Sequence, residues 1–167
     1  MNPSDIIRSI IIGLFYLLLH VFVARQLVLF DCAFCFIYVG VILTLPYEIS
    51  LTALLLIAFG TGLIADTFDN TLGMHTAATV LMAYLRPTVV NYQMSQKISE
   101  GRFELSLRNL GTPTFLSYAF VLVLIHHSTL LFIESGSGSM FLFTLLKIGA
   151  SVVFTLIALL LTQLFFR

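Results

Sequence analysis

Charge is scarce in this chain. Only 10% of its 167 residues are Asp, Glu, Lys or Arg, where a soluble domain carries about 25% to keep its surface wet. The shortage excludes a soluble domain large enough to house an active site. A formal net charge of zero and an isoelectric point near 6.9 give no basis for binding nucleic acid. Cysteine is nearly absent too: Cys32 and Cys35 form one isolated CxxC. A zinc site needs a second ligand pair, and a thiol redox centre a strand–helix–strand setting. With neither evident, both thiols are expected to pack as small hydrophobes. No small-x-small cleavage site follows the apolar run at 10–19, so that run is expected to remain as an anchor. Nor does any Ser or Cys nucleophile stand with the base that acyl transfer needs. No internal repeat is evident, and neither an enzyme nor a cofactor is expected.

Apolar residues dominate what is there: 59% of the chain is hydrophobic, with a mean hydropathy of +1.06. A bilayer core about 30 Å thick takes about 20 apolar residues per helix. The runs predict one polytopic, all-α membrane domain over 1–167, with six transmembrane helices at about 6–24, 32–47, 49–65, 72–92, 113–133 and 140–166. The polar stretch 93–112 and a flexible Gly/Ser turn at 134–139 connect the later spans. Basic residues in short loops stay on the cytoplasmic side. With six spans, one side collects Arg8, Lys97, Arg102, Arg108 and Arg167, with Arg86 close by. The other holds Arg25 with Asp31, Asp66, Asp69 and Glu134. Both termini are therefore expected in the cytoplasm.

Ionisable groups inside a bilayer need a partner, a wet cavity or a route to the interface. His20, His75, His126, His127 and Lys147 all fall in the expected outer half, the last three about 10 Å below their helix ends at 1.5 Å per residue. Three uses are open to them: hydrogen bonds between helices or snorkelling, a ligand or ion cavity, or a metal site shared with Asp. The histidines lack the HxxxH spacing that would strengthen the last, and no metal is expected. Adjacent His126 and His127 point about 100° apart, so one is expected to face a neighbouring helix and the other a partner protein or lipid headgroups. In the connection 66–71, Asp66, Asp69 and Asn70 are candidates to cap the next helix. Gly73 permits close backbone approach, and Ala58 and Gly62 have the small-xxx-small spacing of a tight helix crossing. Pro87 strips the Ala83 carbonyl of its helical donor and predicts a kink. Its neighbour Arg86 is expected to snorkel to the inner interface, to bond the freed carbonyls, or to contact a partner.

The run Gly60-Thr-Gly62-Leu-Ile-Ala-Asp66-Thr-Phe-Asp69-Asn-Thr-Leu-Gly73-Met-His75, followed by Met82-Ala-Tyr-Leu-Arg86-Pro87, resembles the rod shape-determining protein MreD family. The second segment ending in Leu45-Pro46-Tyr47, the Arg86-Pro87 pair and His126-His127 resemble the form of that family found in Bacteroidota. The resemblance implies a non-enzymatic inner-membrane component of the bacterial cell-elongation complex, acting in cell shape and peptidoglycan synthesis. Its implied partners are MreC, and with it MreB, RodA, a penicillin-binding transpeptidase and membrane lipid. The implied fold is similar to the substrate-binding subunits of energy-coupling-factor transporters. A fold does not carry a function with it, so a small-molecule-binding subunit of a transporter stands as the alternative. An intramembrane redox enzyme using Cys32 and Cys35 is a more distant third.

Overall fold

The computed structural model describes residues 3–100, 104–136 and 141–165; parts of the expected 134–139 turn and of the basic loop, including Arg102, and also Arg167, lie outside them. Helix α1 (Pro3–Phe22) turns Gly13, Tyr16 and His20 inward and leaves Ile7, Ile11, Leu14, Leu18 and Phe22 exposed, a lipid-compatible face beside a buried stripe at helical spacing. A 3-10 turn (Ala24–Gln26) leads into a small antiparallel hairpin, β1 (Val28–Leu29) and β2 (Ala33–Phe34). A second 3-10 turn (Ile37–Val39) and a short helix α2 (Gly40–Thr44) follow.

Helix α3 (Leu51–Asp69) starts at Ser50, whose Oγ accepts from the Ala53 amide, and stops at Asn70 in a left-handed conformation (φ 56°). Helix α4 (Met74–Gln93) begins after Gly73 (φ +80°), a position that favours a residue without Cβ. It runs unbroken through Pro87. Two short helices, α5 (Ser95–Glu100) and α6 (Leu107–Leu110), precede the long helices α7 (Thr112–Ser135) and α8 (Phe141–Phe165). The main packing order is α3 on α4, α4 on α7 and α7 on α8, with α1 laid against α2 and the second 3-10 turn.

Among the described residues four helices, not the expected six, are long and apolar enough to cross a membrane: the α1 stretch Asp5–Gln26, α3, α7 and α8. The two shortfalls have different causes. The 32–47 segment is not a long helix at all; it is the hairpin strand, a 3-10 turn and five residues of α2. Helix α4 has 20 residues, enough to reach across, but His75, Arg86, Asn91 and three threonines make it too polar to qualify by composition. His75, Thr79 and Arg86 are buried along it, and it packs on α3 and α7.

The 33–45 segment fills the middle of the bundle, with Tyr38, Val39, Ile42 and Leu43 fully buried. Backbone without a regular helix at that depth needs donors and acceptors from the surrounding protein. Here side chains supply them. Ser151 Oγ accepts from the Phe34 amide (2.9 Å) and Thr155 Oγ1 from the Phe36 amide (3.1 Å). Tyr118 donates to the Leu43 carbonyl (3.0 Å), and Arg86 to that of Leu45.

The α3 and α4 backbones approach closely at Gly62, where an added Cβ would lie 2.5 Å from Thr76 Cα and 2.9 Å from Thr76 N. At Gly60, nothing lies within 4 Å of the same addition. Gly62→Ala should therefore destabilise the protein by about 1–3 kcal/mol, as an overpacked contact does, and lower its melting temperature in detergent. Gly60→Ala, which gains helix propensity without a clash, should leave stability equal or higher. Equal effects at the two positions would contradict this packing.

Candidate functional site

The polar groups gather at the end of the bundle where α3 turns into α4. Asp66 is buried there and closes the turn. Its Oδ1 accepts from Thr71 Oγ1 (2.5 Å) and the His75 amide (3.0 Å); its Oδ2 accepts from the Thr76 amide (2.9 Å) and Thr76 Oγ1 (2.6 Å). One carboxylate thus caps two otherwise orphaned amides in the first turn of α4, where the helix dipole favours negative charge. Ala58, fully buried, and Gly62 lie on the same helix facing the core. An added Cβ at Gly73 would meet nothing within 4 Å; what that position requires is its positive φ, not room for a neighbour.

Asp69 does not cap α4. Its Oδ2 lies 3.0 Å from His20 Nε2 and 3.6 Å from His75 Nε2. From His75 a buried chain of polar groups runs into the core. Tyr38 Oη lies 2.8 Å from His75 Nδ1 and 2.7 Å from His126 Nε2. His126 Nδ1 is 3.4 Å from His127 Nδ1, which sits 2.8 Å from the Val123 carbonyl, and His127 Nε2 is 3.0 Å from Thr155 Oγ1. His126 and His127 are both fully buried, so neither faces lipid headgroups or a partner: α4, α8 and the central segment surround them.

The proton positions follow from one carbonyl when the imidazoles are written neutral. A carbonyl only accepts, so His127 carries its proton on Nδ1 and accepts from Thr155 at Nε2. His126 then presents a bare Nδ1 toward His127 and donates from Nε2 to the Tyr38 oxygen. Tyr38 donates to His75 Nδ1, and His75 donates from Nε2 toward Asp69. Every link finds a donor facing an acceptor. The His20 Nε2 also donates to Asp69, leaving His20 Nδ1 buried and without a partner among the described residues. In that assignment both Nε2 atoms donate to Asp69, and the cluster forms a hydrogen-bonded relay. Among the described residues, no three His, Cys, Asp or Glu side chains are grouped to hold a metal.

A cavity of about 390 Å³ lies over this cluster, with His20, Asp69, His75, Arg25, Phe68 and Glu134 in its wall. Cys35, buried, also borders it, while Cys32 is half-buried; both are free thiols. Lys147 stands apart, half-buried on α8, its Nζ 5.4 Å from the ring centres of Phe34 and Phe143. Arg86 is not a snorkelling residue. It is 2% exposed, and besides holding the Leu45 carbonyl it donates from Nε to Tyr118 Oη (2.9 Å).

Sequence reasoning missed Tyr38, Tyr118, Ser151 and Thr155, the hydroxyls that complete these networks. Their one signal was a hydroxyl inside an apolar run, which is common in packed helices. It also missed a second cluster near the other end, where Gln163 Nε2 donates to Tyr16 Oη (3.0 Å) and Gln163 Oε1 accepts from the Leu107 amide (3.2 Å).

No family model, curated protein or solved structure matches the chain. The expected likeness of fold to the substrate-binding subunits of energy-coupling-factor transporters is therefore withdrawn, together with the six-helix count. A largely helical protein with several long apolar helices, consistent with a multi-pass membrane protein, is what stands.

Tyr38 joins two buried imidazoles, and Tyr38→Phe strips both of a partner at once. With each unsatisfied group costing about 1–3 kcal/mol, this variant should unfold well below the parent in thermal melts. Tyr84→Phe, at a site 58% exposed, should melt with it. A Tyr38→Phe protein as stable as the parent would contradict the relay.

Proposed function

We propose that this chain is a non-enzymatic inner-membrane scaffold of the bacterial cell-elongation complex, working beside MreC, MreB, RodA and a penicillin-binding transpeptidase as MreD-like proteins do, with both termini cytoplasmic. The observation that supports this reading is how the residues carrying the resemblance are employed. Gly62 admits the α4 backbone, Asp66 ties off the turn, Asp69 and His75 enter the relay, and Arg86 clamps the central segment. Apart from the second oxygen of Asp69, these groups are spent on internal structure. The rigid body they hold together presents apolar helix faces, such as Leu56, Phe59 and Leu63 on α3 and Leu161 and Leu164 on α8, to lipid or to partner helices. Shape-matched packing of that kind is how helices associate in a bilayer. In the described parts of the 93–112 loop, Lys97 donates to the Asn109 carbonyl and Glu104 pairs with Arg8, polar contacts suited to a cytoplasmic surface.

Deleting the gene should round rod-shaped cells, and the tagged protein should carry MreC through a mild-detergent pull-down. Unchanged rods and no MreC in the eluate would refute the proposal. The second reading, a small-molecule-binding transporter subunit, is favoured by the cavity over Asp69. Gene neighbours separate the two: MreB and MreC genes beside this one support the scaffold, whereas genes for a transport ATPase and its coupling protein support the transporter.

A further inference from the structure

The cavity at the hairpin end has a use that the scaffold reading does not supply, and its lining points to a ligand chemistry. Two carboxylates, Asp69 and Glu134, line it against one guanidinium, Arg25, which is already held by NH1 on the Phe68 carbonyl. Asp69 uses only Oδ2 on the histidines; Oδ1 has no partner among the described residues, and the side chain keeps 16% of its exposure. Glu134 is exposed at the end of α7. Phe34, Phe36 and Phe68 also line the space, and aromatic faces attract cations. The His20 Nδ1 is a buried lone pair in the same wall that lacks a donor. A volume of about 390 Å³ belongs at the small end of ligand sites, which run to about 1,000 Å³. An anion is opposed by the two carboxylates, and a purely apolar guest would leave Asp69 desolvated without compensation.

We propose that this cavity binds a primary ammonium group, held by Asp69 and Glu134, with an adjoining apolar body against Phe34, Phe36 and Phe68. Two sources offer that chemistry. One is a small soluble amine; the other is the ethanolamine headgroup of a phospholipid, whose phosphate would meet Arg25 beside the exposed Leu27 and Val28. The site does not depend on the scaffold assignment and holds whichever partners the protein has.

Thermal unfolding of the purified full chain tests it. In dodecyl maltoside the probe is 2-phenylethylamine, with phenylacetate as the anionic counterpart. In phosphatidylcholine nanodiscs, phosphatidylethanolamine is added or withheld. Saturable stabilisation by the amine, and not by phenylacetate, supports the site with a soluble ligand; stabilisation by phosphatidylethanolamine alone supports it with a lipid. Removing a charge-assisted hydrogen bond in Asp69→Asn should weaken the apparent affinity about tenfold or more. Glu134→Gln, which alters no hydrogen bond or ion pair among the described residues, should weaken it about threefold and decides the matter if Asp69→Asn does not fold. No stabilisation by either ligand, equal stabilisation by phenylacetate, or an affinity untouched by Glu134→Gln would overturn the proposal.

Discussion

In a medium without water, a peptide group that is not paired within its own helix must be paired by something else, and in this protein that demand falls on residues 33–45. The segment is threaded through the bundle centre without forming a long helix. The hydroxyls of Ser151, Thr155 and Tyr118 and the guanidinium of Arg86 serve its amides and carbonyls. Removing those side chains would leave buried polar backbone groups at a cost of about 1–3 kcal/mol each. The polar content of α4, α7 and α8 follows from this requirement.

Helix α4 shows the consequence most clearly. It is too polar to face lipid on all sides, yet it lies between α3 and α7, with His75, Thr79 and Arg86 buried along it. Asp66 fixes its start and Gly62 sets its distance from α3. With its start held, His75 reaches Tyr38, and Arg86, about three turns further on, reaches Leu45 and Tyr118. The histidine relay and the arginine clamp are therefore two grips of one helix on one central segment. The cavity lies outside these grips, at the end where Asp69 leaves an oxygen uncommitted.

Much of this was legible from residues. The apolar runs mark α1, α3, α7 and α8, because lipid-facing helices must be nearly free of charge. The Asp66–His75 stretch reads as a tight helical hairpin, since glycine, a carboxylate and a following helix start leave few other arrangements. The 32–47 run was misjudged because hydropathy reports burial and not backbone form; Val39–Leu43 is apolar whether it is a lipid-facing helix or a core plug. Arg86 was misjudged for a related reason. Snorkelling is the usual escape of an arginine near a helix end, but here an unwound carbonyl and a tyrosine offered better partners. The burial of both His126 and His127 needed the positions of their partners, Tyr38 in the central segment and Thr155 on α8, which no spacing encodes.

A double-mutant cycle between Arg86 and Tyr118 tests the central claim most directly, using Arg86→Met, Tyr118→Phe and the combined variant in equilibrium unfolding from detergent. The two side chains bond each other and hold carbonyls two residues apart on the same segment. The account predicts that each single change destabilises the protein and that the pair is coupled by about 1 kcal/mol or more, beyond the 0.3–0.5 kcal/mol or so expected of independent sites. Additive effects within that margin, or an Arg86→Met protein as stable as the parent, would contradict it.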